Sequence, residues 1–240
     1  MNGESSSSAA YYDSLWARSR KLDQHHKCRL HAIEKLLKSL PAPDKGRHRI
    51  LELGCGSGMI TTLLARYGEI VGVDQSAVGI KMVQDRIPGR FVTGILPDIP
   101  VPDSGFDLCV LSQVIEHFSD ADQANLLHRA YEKVIPKGYL ILTTPNRPVS
   151  IRMTFREGEL QPVENWLTPA DLRKLLEKSG WQLVRMGFAF SFFPILTSKI
   201  PALRGARYLF YDLLRCRVLL EDFCETWPIG DCTVVLARRG

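Results

Sequence analysis

The segment Glu52, Leu53, Gly54, Cys55, Gly56, Ser57, Gly58 sets three glycines at alternate positions between an apolar run at 50–53 and a stretch with helical spacing at 59–67. Glycines there let the backbone turn tightly and let a ligand approach without a Cβ in the way. The pattern departs from the dinucleotide fingerprint GxGxxG, because the third glycine position counted from Gly54 is Met59 and an acid, Glu52, stands two residues before the first glycine. Asp74 closes the next apolar run, 20 residues after Gly54, where nucleotide-binding α/β folds place an acid to accept hydrogen bonds from ribose hydroxyls. The plainer alternative for Asp74 is a charge at a helix N-terminus. His117 follows a further apolar run, and an imidazole there suits a general base acting on a hydroxyl. The competing reading is that Glu116 and His117 cap a helix or hold a loop.

These residues need a scaffold, and the chain has the pattern for one. Of its 240 residues 45% are hydrophobic and 24% charged, which suits one large soluble domain. From Arg49 onward short apolar runs alternate with amphipathic segments, the signature of an α/β, doubly wound, mostly parallel sheet. Strands are expected at 50–53, 70–74, 91–93, 106–112, 139–144, from Trp181, and at 233–237. Helices are expected at 59–67, from the Ser76 cap to about Ile87, at 121–134, and from the Thr168, Pro169, Asp171 capping start to Ser179 and Gly180. Before them, residues 1–10 read as a disordered, Ser-rich tail and 11–48 as a cap of one or two helices, leaving 49–240 as the main domain.

The six cysteines form no CxxC pair and have no histidine at metal-ligand spacing, so no structural zinc and a reducing compartment are expected. Ten Lys/Arg against five Asp/Glu lie in residues 1–49, whereas 50–240 carry 21 of each, so the whole net charge of +5 belongs to the N-terminal arm. That neutral balance argues against a nucleic-acid substrate, and the arm reads as a solvated helix face, with attraction of phosphate or acidic partners as the alternative. The absence of a long apolar run and of a signal-peptide core gives the expectation of a cytoplasmic protein.

An acid followed by alternate glycines best matches S-adenosylmethionine, which has no pyrophosphate and needs acceptors for its ammonium and ribose hydroxyls. With residues 71–76, 100–107 and 112–118 added, the chain resembles class I S-adenosylmethionine-dependent methyltransferases over roughly 49–187. Residues 143–147 and 166–172 bring it nearest the branch of ubiquinone-biosynthesis O-methyltransferases and natural-product methyltransferases. The resemblance implies a seven-stranded Rossmann-like sheet, S-adenosyl-L-methionine as cofactor and S-adenosyl-L-homocysteine as product. It implies that Glu52 and the backbone at Gly54 and Ser112 serve the methionine end, with Cys55, Gly56, Gly58 and Gln113 beside them. Gln75 and the residues after the third strand would flank the adenine. Where many relatives have an acid after the Gly94 position this chain has Ile95 and Leu96, so the adenine would rest on backbone and apolar packing or on Asp98. Relatives that methylate RNA 3′ ends hold a metal with ExxEH and a later His; Gln113, Asn146 and Arg147 replace those positions, and no metal is expected.

Two segments lie outside the common core. One is the N-terminal arm with Tyr11, Tyr12, Trp16, Arg18 and Arg20, whose His25, His26 doublet reads as packing rather than ligation. The other is a helical insertion at 188–223, before the last strand, with an apolar start and a narrow stripe of Leu209, Leu213, Cys216, Leu220 and Phe223. The stripe suits an acceptor lid, a homodimer contact, a membrane-surface helix or plain core packing. The activity expected is methylation of a small, largely apolar acceptor at a hydroxyl, with N- or C-methylation, a nucleic-acid methyltransferase and a non-catalytic cofactor-binding subunit as alternatives.

Overall fold

The computed structural model describes residues 2–17, 24–43, 46–149, 164–189 and 230–240. In chain order the elements are α1 (Asn2–Ala17), α2 (Gln24–Ser39), β1 (His48–Leu53), α3 (Thr61–Leu64), β2 (Gly68–Asp74), α4 (Ala77–Gln84), β3 (Arg90–Thr93), β4 (Phe106–Ser112), a 3-10 turn (Ile115–His117) and α5 (Asp120–Lys133). They continue with β5 (Val134–Pro145), α6 (Pro169–Lys178), β6 (Trp181–Ala189) and β7 (Cys232–Arg239).

The strands form one seven-stranded sheet in the order β3-β2-β1-β4-β5-β7-β6. Pairing is parallel from β3 across to β5, while β7 runs antiparallel to both neighbours. Both faces are covered, so β1 and β4 read as near-continuous apolar runs rather than alternating ones. Because β1 is flanked by β2 and β4, the strand order reverses there, and a crevice opens beyond the carboxyl ends of the strands.

The helices follow their local chemistry. The Ser76 and Thr168 side chains accept the N–H groups of Gly79 and Asp171 at the starts of α4 and α6, and Pro169 stands in the first turn of α6. Helix α2 buries Cys28, Ile33, Leu36 and Leu37 in the same core as Ile50, Leu108 and Ile141. Opposite, Leu126, Leu127 and Ala130 of α5 and Leu172 and Leu176 of α6 pack with Trp181, whose indole donates to the Leu127 carbonyl at 3.0 Å.

Five expectations are corrected. Residues 2–10 are helical, not a disordered tail, since α1 runs unbroken from Asn2; Glu4, Ala9 and Ala10 favour helix, and extending a helix fixed by packing needs no new nucleus. Helix α3 covers four residues instead of 59–67, because the Leu63, Arg66 and Tyr67 amides bond three residues back and tighten both ends. Helix α4 stops at Gln84, short of Ile87. Strand β5 begins at Val134, the Pro136, Lys137, Gly138 turn lying within it, with Lys137 at φ 66°. The expected insertion starts later than 188, because Phe188 and Ala189 belong to β6; the rest of 188–223 lies outside the described residues.

Candidate active site

The carboxyl ends of β1, β2, β4 and β5 converge on a cavity of about 580 Å³. Its wall includes Gly54 and Cys55 after β1, Asp74 and Gln75 at the end of β2, and Ser112, Gln113, Glu116 and His117 after β4. Ile95 and Leu96 come from the loop beyond β3. These ten residues, all singled out in the sequence, thus share one space. Glu52, within β1, and Gly56 and Gly58 of the turn are buried and outside that wall.

The turn is stapled to β2: the Gly54 and Cys55 amides both donate to the Val73 carbonyl, at 2.7 and 3.1 Å. Gly54 and Gly56 have φ of 76° and 50°, in the left-handed region that favours glycine. A Cβ at Gly54 would fall 2.3 Å from Val114 Cγ2, and one at Gly56 would fall 2.4 Å from Trp16 Cζ2. The missing side chains therefore make room for the loop after β4 and for α1, besides any ligand.

Asp74 is buried, and its Oδ2 accepts the Gly56 amide at 2.8 Å while Oδ1 accepts the Ser76 amide at 2.9 Å. A carboxylate has about four lone-pair positions, so two acceptor sites remain. Burial pushes the Asp74 carboxyl up, the two backbone amides work against it, and nearby Asp13 adds to the rise. Burial also pushes Glu52 up to about 8, opposed by the Thr61 hydroxyl donating at 2.6 Å. Glu116, fully enclosed, is raised by burial and lowered by His117, by the Thr144 hydroxyl donating at 3.1 Å and by Arg29.

His117 ends the 3-10 turn, and its ring meets the edge of Tyr12 at 6.1 Å between centroids. Gln113 holds φ at 59°, rare for a residue with a side chain, with its amide on the Thr143 carbonyl at 2.9 Å. Ser112 Oγ lies 3.0 Å from Thr143 Oγ1, which ties the end of β4 to β5. Asp98 is outside the cavity wall and pairs with Arg129 at 3.3 Å.

Two contributions escaped the sequence reading. Arg29 of α2 lines the cavity, and its Nε is buried with no hydrogen-bond partner among the described residues. The available signal was a cation on the apolar face, since Arg29, Ile33 and Leu36 fall at i, i+4 and i+7. Glu164 and Trp166, ahead of α6, also reach the cavity. Ser8, Tyr12, Leu15 and Trp16 bring α1 into the wall, and His26 of the histidine doublet joins it from α2.

A family model described as a methyltransferase domain matches residues 23–186. A probable S-adenosylmethionine-dependent methyltransferase of Mycolicibacterium smegmatis is 32% identical over 56% of this chain and 52% of its own length. A ubiquinone biosynthesis O-methyltransferase of Cereibacter sphaeroides is 28% identical over 72% of this chain and 78% of that protein. The chain spans about half the length of the mycobacterial relatives it matches. The crystal structure of a magnesium protoporphyrin IX methyltransferase from Synechocystis superposes with a TM-score of 0.64 at 13% identity, covering 100% of this chain and 99% of that one, a likeness of fold alone. The chain belongs to the methyltransferase domain family.

Proposed function

We infer that the protein moves a methyl group from S-adenosylmethionine to a hydroxyl of a small, largely apolar acceptor. The observation that carries this reading is the single cavity that joins Gly54, Asp74 and Ser112 to His117 and to the apolar side chains Leu15, Ile60, Val114 and Phe118. Its volume of about 580 Å³ lies in the range of small-molecule sites.

The residues fit the cofactor. Asp74 has two unfilled acceptor positions for ribose hydroxyls, and Arg29 offers a buried donor to a carboxylate such as the methionyl end carries. Ile95, Leu96 and Pro97 supply apolar side chains for the adenine to pack on, which favours apolar packing over Asp98. The bound cofactor supplies an electrophilic methyl on a sulfonium whose charge disappears on transfer.

The chain's own task is then alignment and exclusion of water. Tyr12 packs on His117 and holds the ring at the wall, where an imidazole nitrogen can take the acceptor's hydroxyl proton. Burial keeps the Tyr12 hydroxyl protonated far above neutral pH, with the carboxylates of Glu116, Asp74 and Glu164 reinforcing it, so it acts as a donor.

Calorimetry with S-adenosylhomocysteine, followed by a labelled-methyl assay on phenols and their matched anilines, tests the reading. Binding of the product and methylation of phenols are expected. His117→Ala should lower kcat by about 10² to 10⁴ with cofactor affinity near wild type. Preference for anilines, or a variant as fast as wild type, would overturn the hydroxyl and base assignments.

A further inference from the structure

Helix α1 is tied to the cofactor turn by a short polar chain that the methyl-transfer reading does not use. The Asp13 carboxylate accepts the Ser76 hydroxyl and, at 3.2 Å, the Val78 amide in the first turn of α4. Ser76 is fully buried and spends its other valence as the cap of that helix, accepting the Gly79 amide at 3.0 Å. Its backbone amide donates to Asp74, whose second oxygen holds the Gly56 amide. One turn further along α1, Trp16 lies against Gly56 and Gly79, where a Cβ would come within 2.4 and 3.1 Å of its ring. Residues 12, 13 and 16 share a helical face, so a single docking of α1 places Tyr12 on His117, Asp13 on the α4 cap and Trp16 on the turn.

The geometry points to Asp13 as a positioning residue that clamps α1 across the cofactor cavity and couples its closure to the Asp74 strand end. Three features support this. An anion at a helix N-terminus with two donors is a favourable contact, which adds to the packing of Trp16 on the turn. Asp13 raises the cost of charging Asp74, so groups that hydrogen-bond to Asp74 relieve a repulsion across the clamp. The Trp16 indole nitrogen is buried without an acceptor among the described residues, which marks a contact held by its surroundings rather than by its own bonding. The inference rests on the cofactor part of the proposed function.

Hydrogen exchange of residues 2–17, with and without S-adenosylhomocysteine, combined with stopped-flow dissociation of that ligand, tests it. In the wild-type protein the ligand should slow exchange in α1. Asp13→Ala should speed α1 exchange in the free protein about tenfold and raise the ligand's dissociation rate by a similar factor. Exchange in β1 and β4 should not change. Asp13→Asn keeps an oxygen acceptor for both donors and should recover much of the effect. Equal α1 exchange in wild type and Asp13→Ala overturns the clamp, and an unchanged dissociation rate overturns its coupling to the cofactor. If the wild-type protein does not bind S-adenosylhomocysteine, the cofactor reading and the coupling fall together, while exchange in the free variant still decides the clamp.

Discussion

Asp74 and Arg29 sit in one cavity wall but address different parts of the cofactor, which makes them separable. Removing the Asp74 carboxylate deletes two acceptor positions and the hydrogen bonds to Gly56 and Ser76, so Asp74→Ala should lose roughly a hundredfold in affinity for S-adenosylhomocysteine. Arg29→Ala should lose about tenfold for S-adenosylhomocysteine and nothing for adenosine, which has no carboxylate. Calorimetry with the two ligands checks both, and equal losses for adenosine would remove Arg29 from the methionyl end. The difference in legibility between the two residues is physical. Asp74 was readable because its position is fixed by a local count from the glycine turn along a strand. Arg29 was not, because nothing local to α2 says which sheet edge that helix will reach. Gln113 was readable as a neighbour of the site but not as a strained one, since its φ of 59° comes from the junction of β4 with β5.

Elements were legible in proportion to how locally they are determined. The capped starts of α4 and α6 and the apolar runs of β1 and β4 appear close to where their residues place them. Helix α3 and residues 2–10 were misread because packing and end geometry outweigh weak local preference there. The N-terminal cap shows the same limit: its helical spacing was visible, its place in the main core was not. Ile33 is fully buried among side chains of α2 and the sheet. Ile33→Ala should therefore destabilise the whole protein by about 2 to 5 kcal/mol in urea unfolding, with a single transition. A separate early transition for α2 would show that it docks as an independent cap.

At the scale of the molecule, three buried carboxyls, Glu52, Asp74 and Glu116, are all held above their ordinary values by burial. Each keeps its proton in the folded state at pH values where the unfolded chain has lost it, so stability is greatest below the ordinary carboxylate range and falls as pH rises. For Glu52 the fall continues to about pH 8. Thermal melts of the ligand-free protein should show Tm decreasing between about pH 5 and 8. Glu52→Gln, which keeps an acceptor for Thr61, should flatten that slope; an unchanged slope would place the dependence elsewhere. Sheet order carries one more consequence, for how the protein is made. Strand β6 pairs only with β7, and Ala189 lies opposite Cys232 although a long stretch of chain separates them. On a ribosome β1 to β5 can pair as they emerge, while β6 waits with both edges open until β7 is synthesised and slots in between. The closing step is therefore a long loop closure, entropically slow, and the nascent chain's hazard is premature pairing of that waiting strand with another copy.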